Sequence, residues 1–319
     1  MVKIVTLTRR NFFTQVGGAA LASSLLRAKT AEPYLLGCQT LPYSNLPFDD
    51  AVAGIQKAGY KYIMLGSAHQ KKPVWAPGLP KEQISKVRSQ LSDAGLTPFM
   101  SFLGLSADVS KPEGVKSWMD ELDLCREFGI QMTVAMGPKY YVHFPAQPKP
   151  RRQWDQDVAD YFAAIAPARR HAEEIGVTIT VKPHSGIATT AKVALETMKR
   201  FGSPRFKICW DAGNVAYYEG IYPDPDLPEL APDVKAVCIK DHMGLRGQDN
   251  FPVPGSGQID HEQMFKILFG AGFNGPMAVE RIDGTDKQAT MPASLIDERI
   301  AAARNYLVPL LDKVTRGTA

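Results

Sequence analysis

What this 319-residue sequence lacks narrows its class before any motif is read. It has only four cysteines, Cys38, Cys125, Cys209 and Cys238, with no CxxC spacing among them, and it contains no GxxxxGK[ST] loop and no GxGxxG after its first apolar run. Scattered cysteines do not make a disulfide framework, and three of the four lie inside apolar runs, where a thiol serves as a small core residue. The missing glycine loops remove the phosphate cradle that opens most nucleotide-binding open sheets. Charge of one sign is scarce too: 37 Lys and Arg face 33 Asp and Glu, a formal +4. That balance provides no phosphate-tracking surface, so nucleic acid is not an expected partner. What is present is a 45% hydrophobic chain, long enough for one large α/β domain or two small ones.

Even that small positive charge is local. Thr8-Arg9-Arg10-Asn11-Phe12-Phe13 resembles a twin-arginine export motif, and the Ala/Gly-rich run Gln15 to Leu26 that follows is closed by Arg27. The run is too short for a stable membrane span, and Ala28-Lys29-Thr30-Ala31 offers small residues for cleavage. Residues 1–31 are therefore expected to be an export signal and residues 32–319 the folded body, delivered to the periplasm by the twin-arginine route. The alternative is an ordinary amphipathic N-terminal segment. Lys3, Arg9, Arg10, Arg27 and Lys29 fall in the signal with no acidic residue, which leaves the remainder at −1.

From Tyr34 onward, short apolar runs alternate with amphipathic stretches. Strands are expected at 34–39, 60–65, 97–102, 131–136, 177–182, 206–210, 234–240 and 276–280, because apolar runs of this length suit strands buried on both faces. Helices are expected at 49–58, 81–94, 112–128, 153–175, 189–201, 261–271 and 294–311, with only a short turn at 226–230 after the sixth strand. Gly59, Gly95, Gly129, Gly176, Gly202 and Gly272 follow the helical patterns as left-handed caps. Asp260 with Gln263 reads as a capping box. Eight strands alternating with helices predict an α/β fold, a (β/α)8 TIM barrel. A doubly wound open sheet is the alternative, and the residues after its first strand, Gln39-Thr40-Leu41-Pro42-Tyr43, are not a phosphate loop. The long connections 140–150 and 243–257 are expected to shape a pocket.

In a barrel the strand tips converge on one face, and the tips here are polar: Lys182 and His184, Asp211 and Asn214, Lys240 to His242, Glu280 and Arg281. Carboxylates and imidazoles gathered from several strands can hold a divalent metal or exchange protons. They can equally pair with the lysines as ion pairs across the barrel mouth. Trp210 and Tyr217 are candidate walls for a sugar ring. Lys240 and Arg281 suit an anionic substrate group, and His143 can reach substrate from the loop after the fourth strand. His69, His171 and His261 read as loop or helix-surface residues.

Val181-Lys182-Pro183-His184-Ser185-Gly186, Trp210-Asp211-Ala212-Gly213-Asn214, Ile239-Lys240-Asp241, Pro254 to Asp260 and Ala271 to Glu280 together resemble the sugar isomerase/epimerase superfamily. Its members have a xylose-isomerase-like barrel and include the family-2 apurinic endonucleases. The resemblance covers most of residues 34–312. It implies a carbohydrate substrate and a single divalent metal held by a Glu after strand five, an Asp after strand six, a His in strand seven and a Glu after strand eight. Asp211 and Glu280 match that pattern; Lys182 and Cys238 stand where the other two ligands are expected.

Three readings follow from the substitutions. The metal site, for Mn, Zn, Co or Fe, is rebuilt on Asp211 and Glu280 with His184 or His242; or Lys182 supplies the positive charge; or catalysis is lost and a non-catalytic carbohydrate-binding or partner subunit remains. The leading expectation is an exported sugar isomerase or epimerase-like enzyme that removes a proton next to a carbonyl. In it Glu280 is the acid/base, Asp211 the metal or substrate anchor, and Lys182 and His184 polarise oxygen. Asn214, Trp210, Lys240, Arg281 and His143 contact substrate. A homo-oligomer is an admissible assembly, and no membrane span is expected once the signal is removed.

Overall fold

The computed structural model describes residues 32–105, 107–137, 151–184 and 186–316, with the side chains of 151–153 left aside. Residues 1–31, expected to form an export signal, and His143 lie outside the described residues. The body, Tyr34–Ala319, is built on eight strands: β1 Leu35–Gln39, β2 Tyr62–Leu65, β3 Thr97–Leu103, β4 Met132–Ala135, β5 Thr178–Val181, β6 Phe206–Trp210, β7 Val234–Ile239 and β8 Pro276–Val279. All pair in parallel, in sequential order around a closed ring. The seam between β1 and β8 is set by Leu35 against Pro276 and Cys38 against Val279. This is the (β/α)8 TIM barrel expected from the alternation of apolar runs and amphipathic stretches.

The helices are α1 Phe48–Lys57, α2 Lys81–Asp93, α3 Pro112–Glu127, α4 Arg151–Ala164, α5 Ala166–Ile175, α6 Ala191–Phe201, α7 Ala212–Glu219, α8 Leu227–Leu230, α9 His261–Gly270 and α10 Ala293–Arg316. Two depart from expectation. The single helix expected at 153–175 is two, because Pro167 stands in the first turn of α5, where its ring fits but could not continue a preceding helix. The turn expected after β6 is preceded by α7, which is buried along Gly213–Ala216 and at Tyr218 and so carries no amphipathic stripe to betray it. Gly202 also differs from the other expected caps. Its backbone is extended, with φ −59° and ψ 147°, whereas the other five have positive φ. Among the described residues no helix is long and apolar enough to cross a membrane.

Period-2 alternation sorts the strand residues into two layers. Phe206, Ile208 and Trp210 on β6, Val237 and Ile239 on β7, and Met277 and Val279 on β8 belong to the large cluster beneath the helices. Cys209, Ala236, Cys238 and Ala278 point the other way and fill the barrel with Met64, Met100 and Val134. All four cysteines are buried free thiols. The inward column on each strand continues past its end, and that is where the chemistry lies.

Candidate active site

Four charged residues occupy the first position beyond four consecutive strands: Lys182 after β5, Asp211 after β6, Lys240 after β7 and Glu280 after β8. Each lies in the inward column, and all four are at most 5% exposed. Lys182 Nζ donates to both oxygens of Glu280, at 2.7 and 2.6 Å, and lies 3.3 Å from Asp211 Oδ2. Lys240 Nζ is 3.2 Å from the same Asp211 oxygen and 3.2 Å from Glu280 Oε1. Two cations and two anions thus form a closed, electrically balanced square. Burial by itself would raise the Glu280 carboxyl, but the Lys182 and Lys240 ammonium groups outweigh it and hold it well below the usual carboxylate range. Burial would lower Lys182, and its contact with Glu280, with Asp211 adding, instead raises it above the usual lysine range. Lys182 is therefore an ammonium and not a free amine nucleophile.

The square is braced by the local chain. Asp211 is the N-cap of α7: its side chain accepts from the Asn214 backbone N–H at 2.9 Å while Oδ2 faces the lysines. Asn214 Nδ2 donates to Pro183 O at 2.5 Å and its Oδ1 accepts from Lys240 at 3.0 Å. Gly213 is obligatory for a spatial reason, since a Cβ there would collide with the Lys240 side chain. Asp241 points the other way and organises the β7 loop. Its two oxygens accept from the backbone N–H groups of His242, Gly255, Gly257 and Ile259, each at 2.9 Å. The Pro254-Gly255-Ser256-Gly257 motif is thereby explained as an amide cradle for a carboxylate.

The other expected site residues are distributed as follows. His184 is half-buried, with Tyr218 Oη 2.9 Å from its Nε2. His242 Nε2 lies 2.9 Å from the carbonyl of Gln248, to which it donates, and its ring packs edge-on to Phe251. Neither histidine joins the potential ligand atoms of Asp211, Cys238 and Glu280, which alone among the described residues come within 4.8 Å of one another. The third potential ligand atom beside the two carboxylates is thus the Cys238 sulfur, not an imidazole.

Trp210 is a correction. It faces outward beneath the helices, beside a cavity of about 30 Å³ lined by Tyr222, Leu227 and Met264, because it is one residue out of phase with Asp211. Arg281 stands apart from the charge square: its guanidinium binds Asp283 and Asp249, the latter at 2.8 Å, and covers the Phe251 ring at 4.0 Å. Asn214 has both ends of its carboxamide engaged by protein, which makes it a positioning residue. His69 and His261, expected at the surface, are 3% and 1% exposed.

Sequence reasoning missed two contributors. Gln39 follows Cys38 as Glu280 follows Val279, and those two are register partners, so Gln39 and Glu280 leave adjacent strands on the same inward face. The Gln39 side chain is fully buried with neither end of its amide hydrogen-bonded to protein. A polar residue ending an apolar run was the available signal. Phe251 is the other. With Tyr217 and Tyr218 it forms a continuous aromatic wall, with ring centroids 4.7 Å apart for Tyr217 and Tyr218 and 5.4 Å for Tyr217 and Phe251. No spacing rule links these rings, since they come from α7 and the β7 loop.

The charge pattern decides whether a divalent metal fits. Both carboxylates that would hold it are already engaged by ammonium groups, and contact with the Cys209 thiol together with burial keeps the Cys238 thiol protonated. An ion of charge +2 about 3 Å from an ammonium is repelled by on the order of 10 kcal/mol per lysine at an effective dielectric near 20. As the side chains stand, a divalent ion does not fit beside Lys182.

The model of the xylose isomerase-like TIM barrel family matches residues 52–306. No curated protein sequence matches the chain. Among solved structures, a D-psicose 3-epimerase in the presence of D-fructose is similar over 87% of this chain and 99% of its own, with TM-score 0.68 and 15% identity. A D-allulose 3-epimerase from Methylomonas sp. in complex with D-allulose covers 86% and 96%, with TM-score 0.63 and 16% identity. A xylose isomerase-like TIM barrel protein from Mycobacterium smegmatis in complex with magnesium covers 90% and 98%, with TM-score 0.67 and 15% identity. Similarity at this level shows a fold shared with sugar isomerases and epimerases.

Proposed function

The chain belongs to the xylose isomerase-like TIM barrel family, and we propose that it is an exported sugar isomerase or epimerase-like enzyme that moves a proton at a carbon beside a carbonyl. The observation that carries this reading is the buried Lys182–Glu280 contact of 2.6 Å at the strand tips, beneath an aromatic wall suited to a sugar ring. A keto-sugar entering there offers carbonyl and hydroxyl oxygens to the Lys182 and Lys240 ammonium groups. Glu280 then loses its partners and becomes more basic, since the same lysines hold it down in the resting state. Its carboxylate takes the proton from the carbon next to the carbonyl. The C–H electron pair forms the enediolate double bond, the carbonyl electrons move to oxygen, and that oxyanion is stabilised by Lys182. Return of the proton by Glu280 to the neighbouring carbon, with the hydroxyl proton there passing to the other oxygen, gives an isomer. An epimer needs a proton delivered to the opposite face by a second donor while Glu280 gives its own to solvent, so no co-reactant is consumed. Gln39, with an unpaired buried amide, orients a substrate hydroxyl.

The test is deuterium exchange. In deuterated water, with chelator present or absent, NMR of a panel of keto-sugars is expected to show exchange beside the carbonyl. Glu280→Gln is expected to slow it by about 10²- to 10⁴-fold, the usual weight of a general base. A panel that shows no exchange under any condition rejects the reading.

A second reading has its own observation in its favour. The lysines occupy both carboxylates, as a purely structural ion-pair network would. On that reading the protein is a non-catalytic carbohydrate-binding subunit, and sugars raise its melting temperature without turnover.

A further inference from the structure

We propose that the resident cation of this site is the Lys182 ammonium itself, held between Asp211 and Glu280 where a divalent ion would have to sit, so that the protein works without a metal. Three geometric facts support this. The nitrogen contacts both Glu280 oxygens and one Asp211 oxygen, which is the bridging position between the two carboxylates. A second ammonium, Lys240, contacts the same two carboxylates, so the charge of the pair is cancelled by the chain. The third atom able to ligate, Cys238 Sγ, is buried, accepts from the Cys209 thiol at 3.6 Å and hydrogen-bonds Glu280 through its own S–H, so it sits there as a thiol. Soft thiolate ligation would require a deprotonated sulfur at that position. The lysine carries one positive charge on a chain anchored in β5, so it neither dissociates nor responds to chelators. It can polarise an oxygen only as a hydrogen-bond donor, which favours neutral, hydroxyl-rich ligands over chelating dianions.

This assignment concerns the cation alone and stands whether or not the ligand is a keto-sugar. Wild-type protein, K182E and K182E/C238H are treated with EDTA, dialysed and titrated with MnCl2. Free Mn²⁺ is followed by electron paramagnetic resonance and stability by melting temperature. Wild type is expected to show no saturable site and no shift with Mn²⁺ or EDTA. The variants, with the ammonium replaced by a carboxylate, are expected to gain one saturable site, with affinity raised by about 100-fold or more and a melting temperature that climbs with Mn²⁺.

Stoichiometric Mn, Zn, Co or Fe in wild type, removable by EDTA with loss of stability, overturns the proposal. So does a folded K182E/C238H that takes up no Mn²⁺. If neither variant folds, Lys182→Ala decides: either methylammonium or Mn²⁺ must raise its melting temperature while leaving wild type unchanged, and failure of both overturns the proposal. A wild type that binds no metal and exchanges no sugar proton leaves the cation assignment intact and removes the sugar reading. One that exchanges protons only with metal does the reverse.

Discussion

Lys182 Nζ lies 2.6 Å from Glu280 Oε2, across 98 positions of sequence and inside a protein where neither side chain is more than 6% exposed. Removing one partner of a buried pair leaves an uncompensated charge, which typically costs about 3–5 kcal/mol. Lys182→Met is expected to destabilise the fold by that amount in urea melts, and Glu280→Gln to do so to a smaller degree. The double variant is expected to lose clearly less than the sum of the two. Additive losses would show that the two groups do not interact.

Gln39 is predicted to trade stability for function. Its amide is buried with no protein partner on either atom, so Gln39→Leu removes two unsatisfied polar groups and is expected to raise stability by about 1–2 kcal/mol. The same change is expected to raise KM for the substrate about tenfold or more, because a hydroxyl loses its reader. A gain in stability with unchanged KM would place Gln39 outside the binding site.

Stability should be flat from about pH 7 to about pH 10 and fall on both sides. Glu280 is held below its ordinary value by the lysines, so its contribution is complete above an unfolded pKa of about 4.3 and is lost as pH falls from there toward the folded value. Lys182 is raised, so its share is complete below an unfolded pKa of about 10.4 and is lost as pH climbs through the folded value. His69 and His261 are lowered by burial, which makes the unfolded chain the better proton binder below about pH 6.5. Denaturant melts across pH 4–10 are therefore expected to begin declining near pH 6, and His261→Gln to remove part of that first decline but not the steeper one below about pH 5.

The β7 loop should depend on Asp241. Four backbone N–H groups converge on its carboxylate, and charge-assisted bonds of this kind contribute about 1.5–3 kcal/mol each. Asp241→Ala is expected to make the 243–257 segment the first site of limited proteolysis. Gly257→Ala should mimic it, since a Cβ there would strike Asp241 and the His242 carbonyl. An unchanged cleavage pattern in both variants would assign the loop's order to other contacts.

Arg9→Lys together with Arg10→Lys is predicted to keep the full-length chain in the cytoplasm on fractionation of a bacterial host with a twin-arginine route. Export undiminished by the double change would reject the signal proposed for residues 1–31.

The barrel was legible because parallel strands sealed on both faces must be apolar throughout, and all eight such runs stand out between helices. The cap at Asp260 was legible for the same local reason: its side chain accepts from the Gln263 N–H at 2.9 Å. Helix α7 was not, because it is buried on nearly every side and so shows no periodic stripe. Trp210 was placed on the site by its closeness to Asp211, although adjacent residues on a strand face opposite ways. Arg281 leaves the charge square by the same one-residue step from Glu280. In each case the period of the strand was available, and only the absolute phase was wanting.

The sequence by itself determined the ring of strands, their order and the polar character of their tips, since these follow from which short runs can be taken out of water. Only the tertiary structure decided how the tip charges use one another. Lys182 and Glu280 become partners because ring closure brings the ends of β5 to β8 to one mouth, and a buried charge must find its counter-ion there. Whether that counter-ion is a metal or an ammonium depends on distances of 2.6 to 3.3 Å, a scale on which the linear chain carries no information.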